Sequence, residues 1–206
     1  MNSLLSSHTT LIIIITVIIS LLAWQNKGLM AKLIFYPPAV NKGEWYRFIT
    51  HGFIHADSTH LLFNMFTLYF FGRAVERFFN QFLGGFGFLA VYLGAIIVAM
   101  IPSYLQHKND ANYRSLGASG GVSAILFSFI LMAPWSMLYL FAVLPIPAIV
   151  FAIAYVAYSV YANKKGNSNI NHLAHLWGGG FGVLATIILS PNVLPHFFNA
   201  LMHPSF

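Results

Sequence analysis

Ser119 stands in the run Gly117-Ala118-Ser119-Gly120, near the start of a stretch from 115 to 163 that holds no charged residue. A serine flanked by small residues can be approached closely by a base. His175 heads a second apolar stretch, and His60 with Asn64 heads a third. A hydroxyl nucleophile, an imidazole and two hydrogen-bond donors are the groups that acyl transfer to serine requires. Polar groups at membrane depth are costly and mark function by default.

That depth follows from composition. Of 206 residues, 58% are hydrophobic and 7% are charged, against roughly 25% charged in a soluble domain. The chain therefore reads as an all-α integral membrane protein with little mass outside the bilayer. Having no cysteine, it has no thiol nucleophile, disulfide framework or thiolate metal site. The net charge of +6 is scattered through loops, and no basic run points to nucleic acid. His51, His55 and His60 lie near one another, yet Asp57 is their only nearby carboxylate and no H-E-x-x-H occurs. Neither a metal nor another cofactor is expected.

A helix needs about 20 apolar residues to cross a bilayer. Six spans are predicted, near 9–24, 59–75, 82–105, 119–132, 147–161 and 171–189, within one membrane domain covering 1–206. No Lys or Arg precedes the first, so it reads as a span and not as a cleaved signal. Pro134, Pro145 and Pro147 divide the uncharged stretch into the fourth and fifth spans. The charges Arg73, Glu76 and Arg77 close the second and read as an interfacial charge cluster, and Lys164 and Lys165 belong to a polar loop.

Spans two, four and six enter from one membrane face. They begin with His60 and Asn64, with Ser119, and with His175, so all four residues are expected at one depth. His60 and Asn64, four apart, share a helical face; as a pair alone, interhelical hydrogen bonding explains them equally well. Gly178 and Gly182 follow His175 on its own face, and the fourth span opens with Gly117, Ala118, Gly120 and Gly121. Two such small-residue faces permit close helix contact. His172, three before His175, is the rival base, and its place beside the polar loop suggests a solvated or capping role.

Taken together, these residues resemble the rhomboid family of intramembrane serine proteases. The resemblance runs in order through Glu44-Trp45-Tyr46-Arg47, His51 and His55, His60-Leu61-Leu62-Phe63-Asn64, Gly72 and Glu76, Ser115 to Gly120, Ala174-His175-Leu176-Trp177-Gly178, and Gly182. It implies a six-transmembrane-helix rhomboid-like bundle. In it, Ser119 would be the nucleophile and His175 its base. The backbone N–H of Ser119, with His60 and Asn64, would form the oxyanion hole. Gly117, Gly120, Gly178 and Gly182 would support helix packing. Substrates would be single-span or multi-span membrane proteins in the lipid bilayer, with no cofactor. A catalytically silent member that binds membrane clients is the alternative. One departure stands out. Many members carry an aromatic four residues after the serine, packed on the histidine, and here that position is Ser123. A hydroxyl or Trp177 is expected to orient the imidazole instead.

Orientation is contested. Eight basic residues (Lys27, Lys32, Lys42, Arg47, Lys108, Arg114, Lys164 and Lys165) lie in odd loops, against Arg73 and Arg77 near an even one. The positive-inside rule would put the odd loops in the cytoplasm. Resemblance to six-span bacterial members implies a bacterial inner membrane with cytoplasmic termini. The second is favoured, because the first loop carries much of the charge and in that family is folded. Trp45 and Arg47 are expected to anchor that loop at the interface.

Overall fold

The computed structural model describes residues 7–140, 143–166 and 170–204. Its long helices are α1 (His8–Gln25), α5 (Ser58–Leu83), α6 (Gly87–His107), α7 (Ser119–Met132), α8 (Ala148–Lys165) and α9 (His172–Leu189). The segment joining α1 to α5 holds α2 (Lys27–Leu33), α3 (Pro37–Val40), α4 (Arg47–Thr50) and a 3-10 turn at His51–Phe53. Helix α10 (Val193–Met202) closes the described chain. Among the described residues, α1, α6 and α9 are long and apolar enough to cross a membrane.

Each expected span has a helix at its position, with boundaries that differ for physical reasons. The second helix does not stop at its charges but continues to Leu83 and ends at Gly84, where φ is 77°. Glu76 faces inward and is buried. Its carboxylate accepts from His8 N at 2.7 Å and from Thr9 Oγ1 at 2.7 Å, satisfying the first turn of α1. A carboxylate is favourable at that helix terminus. It is thus a clamp between α1 and α5 and not an interfacial charge. Phe82 and Leu83 consequently belong to α5, and the third long helix starts at Gly87, with Asn80 Oδ1 accepting from Phe88 N at 2.9 Å. Lys164 and Lys165 form the last turn of α8, before Gly166 in the left-handed conformation at φ 67°. Cations suit a helix C-terminus. The connection between α7 and α8 is an antiparallel pair, β1 (Met137–Leu140) and β2 (Leu144–Pro147), where no strand was expected.

Helix α7 lies at the centre. Ten of its 14 residues are buried, and they occupy every face: Gly120–Leu126 without a break, then Ser128, Ile130 and Leu131. Around it Leu68, Phe79, Phe88, Tyr92 and Ile96 form the main apolar core with its own Ile125.

The first loop is folded and tied to the approach to α7. Arg47 is buried, donating to Ala31 O at 2.8 Å and Ile34 O at 2.6 Å and pairing with Glu44 at 2.7 Å. It organises the loop from inside and is not an interface anchor, whereas Trp45 is exposed. Phe35 N donates to Ser115 O at 3.0 Å, and Ser115 N donates to Phe35 O at 3.2 Å. The loop is thereby fixed four residues before Ser119.

Candidate active site

The chain turns into α7 through Gly117, whose φ is +116°. L side chains avoid that conformation. A Cβ there would also lie 2.8 Å from His60 Nε2, so the His60 ring rests directly on this backbone. Two buried histidines hold the turn. Gly117 N donates to His51 O at 2.9 Å, and Ala118 N donates to His55 Nε2 at 3.3 Å. Since Nε2 accepts, the proton of neutral His55 is on Nδ1. That nitrogen lies 3.1 Å from Ser20 Oγ, which in turn donates to the Phe53 carbonyl at 3.1 Å. Burial, together with neighbouring His60, pushes His55 down to about 3, so the ring stays neutral in this relay.

With the amides of Gly117 and Ala118 occupied, Ser119 opens the helix. The first amides of an α-helix have no intrahelical partner and carry partial positive charge. The first intrahelical bond accepted at this turn is from Val122 N to Ala118 O, at 3.0 Å. The N–H groups of residues 119–121 therefore precede it. Asn64 is buried in the second turn of α5 and donates to His60 O at 2.9 Å. An amide has two donor hydrogens, so one remains beyond that bond.

Helices α7 and α9 meet main chain to main chain. A Cβ on Gly178 would strike the Gly120 carbonyl oxygen and lie 2.9 Å from Gly120 Cα. One on Gly182 would strike the Ala124 oxygen, with Ala124 Cα at 2.6 Å. Gly120 is itself closed in by α6, since a Cβ there would be 2.5 Å from Ala99 Cβ. Ser128 Oγ donates to Gly182 O across the same seam at 3.0 Å. The Gly120–Gly178 contact brings the start of α7 beside the first turn of α9, which Asn171 caps by accepting from Ala174 N at 3.0 Å.

In that first turn, His175 is partly buried. The Tyr155 ring from α8 stacks on it, with centroids 5.9 Å apart and planes at 18°. The Tyr155 hydroxyl lies 3.3 Å from Ser123 Oγ. The aromatic surface against His175 therefore comes from α8. Trp177 is 52% exposed and is not the orienting ring. His172 is neither solvated nor the cap: it is buried, with its ring edge-on to His175 at 5.9 Å. Among the described residues the Ser119 hydroxyl and the His175 ring are not hydrogen-bonded to each other. Active-site hydrogen bonds are commonly long in the absence of substrate.

A Rhomboid domain model matches residues 42–192, which takes in His60, Asn64, Ser119 and His175. The chain belongs to the rhomboid family. It is 36% identical over 148 residues to the rhomboid-family protein YdcA of Bacillus subtilis (strain 168), covering 71% of this chain and 69% of that one. RHOMBOID-like protein 12, mitochondrial, of Arabidopsis thaliana is 31% identical over 159 residues, 69% of this chain and 46% of its own length. Rhomboid protease GluP of Bacillus subtilis (strain 168) is 30% identical over 146 residues, 71% of this chain and 27% of its own. The chain thus spans less than half of two of these three relatives. With its apolar helices, this rhomboid is an integral membrane protein.

The sequence of this rhomboid shows His55 but not what it bonds to, and it does not mark Tyr155. His55 was legible as part of a motif, but its bond to the Ala118 amide depends on a loop fold that spacing does not encode. Tyr155 carried no signal, being one of several aromatics on an apolar helix.

Proposed function

We propose that this rhomboid is an intramembrane serine endopeptidase that hydrolyses peptide bonds in or near transmembrane segments of membrane proteins. Ser119 attacks the carbonyl, His175 takes its proton and later returns it to the leaving amine, and no carboxylate completes a triad. The Ser119 amide, His60 and Asn64 stabilise the oxyanion. The observation that carries this reading is the convergence at the start of α7. The His60 ring abuts Gly117 on one side, and on the other the Gly120–Gly178 contact draws in the turn bearing His175.

Helix α7 has 14 residues, a length of about 21 Å. The hydrocarbon core is about 30 Å thick. If α7 ends at one interface, Ser119 lies roughly 9 Å below the other. A polar cavity from the face of the odd loops must then bring water to it. A catalytically silent client binder is the second reading. It is favoured by the missing bond between Ser119 and His175 among the described residues.

Purified protein in a bilayer, offered a panel of single-span substrates, decides between them. Cleavage is expected, and Asn64→Ala or His60→Ala should slow it with the fold intact. Loss of one oxyanion donor costs about 2.7–4 kcal/mol of barrier in serine hydrolases. A backbone donor survives here, so each loss should fall at or below the low end of that range. Unchanged turnover in the double variant would reduce the pair to packing.

For orientation, we favour a bacterial inner membrane with cytoplasmic termini. The absence of native cysteine permits a direct test. In intact cells an impermeant maleimide should label Asn167→Cys and spare Ser205→Cys; both positions lie outside the described residues. The opposite pattern would put the odd loops in the cytoplasm.

A further inference from the structure

We propose that Tyr155 is the positioning residue of the His175 imidazole, in space that the small Ser123 leaves for it. The proposal rests on His175 being the general base. Stacked or tilted aromatic pairs are favourable at centroid separations of about 4.5–7 Å. The Tyr155–His175 pair, at 5.9 Å and 18°, falls within that range. The Tyr155 ring is itself fixed. Phe151 stacks on it at 5.6 Å and 27°, and Phe127 of α7 tilts against it at 5.8 Å and 55°. Its hydroxyl reaches Ser123 Oγ at 3.3 Å. His172 closes the edge of the imidazole at 5.9 Å and 76°. Two sides of His175 are thus walled by rings, and the wall against its face arrives from α8.

Ser123 lies one turn beyond Ser119, on the same face of α7. The site therefore has room for one large ring beside His175. A small residue at 123 lets that ring come from position 155, and a large one at 123 would compete with it. Helix α8 is seated through the small buried residues Ala148, Ala152, Ser159 and Ala162. Orientation of the base is consequently tied to the seating of that helix, not to α7 and α9 alone.

The test uses full-length protein in lipid nanodiscs, with 13C-labelled histidine and a cleavable transmembrane peptide. In Tyr155→Ala the His175 ring resonance should lose its ring-current shift. Its kcat should fall by roughly tenfold or more with little change in KM, as expected when a catalytic group is misplaced by about 1 Å. Tyr155→Phe keeps the ring and should stay within about threefold of the parent, since only the hydroxyl's hydrogen bond is lost. Ser123→Tyr combined with Tyr155→Ala should recover most of the lost kcat by returning a ring to the same space. An unmoved His175 resonance in Tyr155→Ala, or a folded double variant no better than that single one, would overturn the proposal. If no variant, nor the parent, cleaves while the resonance still moves, Tyr155 positions the ring and it is the protease reading that fails.

Discussion

Ser119→Ala and His175→Ala are each expected to abolish covalent labelling by a fluorophosphonate probe, and chelators are expected to leave labelling intact. The expectation has a local cause. Ser119 is the residue at which the small-residue turn, held by His51 and His55, becomes a helix, so it stands at the end of α7 where the first amides have no intrahelical partner. On the proposed mechanism such an alcohol needs a base, and the seam between α7 and α9 sets the turn bearing His175 beside the start of α7. A base contributes about 10²–10⁴-fold to such a reaction. Loss of His175 should thus remove labelling on any practical timescale, while loss of Ser119 removes the bond-forming atom itself. Labelling that persists in Ser119→Ala, or that chelation removes, would sink the dyad.

Gly178→Leu is the second change with a large expected effect. Even a methyl group at 178 would meet the Gly120 carbonyl, a main-chain atom that cannot turn aside. A leucine must push the helices apart, which removes the approach of His175 to Ser119 and the hydrogen bond from Ser128 Oγ to Gly182 O. Gly182→Leu meets Ala124 in the same way. Activity should be lost, and the thermal midpoint should fall. A leucine variant with full activity at unchanged thermal stability would show that the contact is dispensable.

Much of this was legible because two kinds of signal survive without coordinates. Small residues at helical spacing, as at Gly178 and Gly182, report a close approach whatever the partner. Charge-free lengths report helices within a few residues. The errors fell where a polar group met a partner remote in sequence. Arg73, Glu76 and Arg77 suggested a helix end, yet Glu76 is satisfied by Ser7, His8 and Thr9, nearly seventy residues earlier. Arg47 suggested a surface anchor, yet its guanidinium is spent on carbonyls of α2 and the turn after it. His172 suggested solvent because it sits beside a polar loop, and the packing of α8 covers it. Ser123 left open which ring packs on His175, and only three dimensions could show that the Tyr155 ring stacks there.

The seam between α7 and α9 also has a mechanical meaning. Because peptide groups touch there, the two helices can neither slide nor separate by changing side-chain rotamers; they behave as one stiff body carrying Ser119 and His175 together. On the proposed function, any breathing that admits a substrate would occur in the walls around that body. The exposed rings of α5, such as Phe63, Phe66, Tyr69 and Phe70, and of α8, such as Tyr158 and Tyr161, line those walls. Among the described residues, the ring stacked on His175 comes from α8, as Tyr155. A fluctuation of α5 would leave the serine and histidine as they are, while one of α8 would loosen the imidazole. On the proposed function, the two sides of the molecule would therefore not be equivalent as routes of entry.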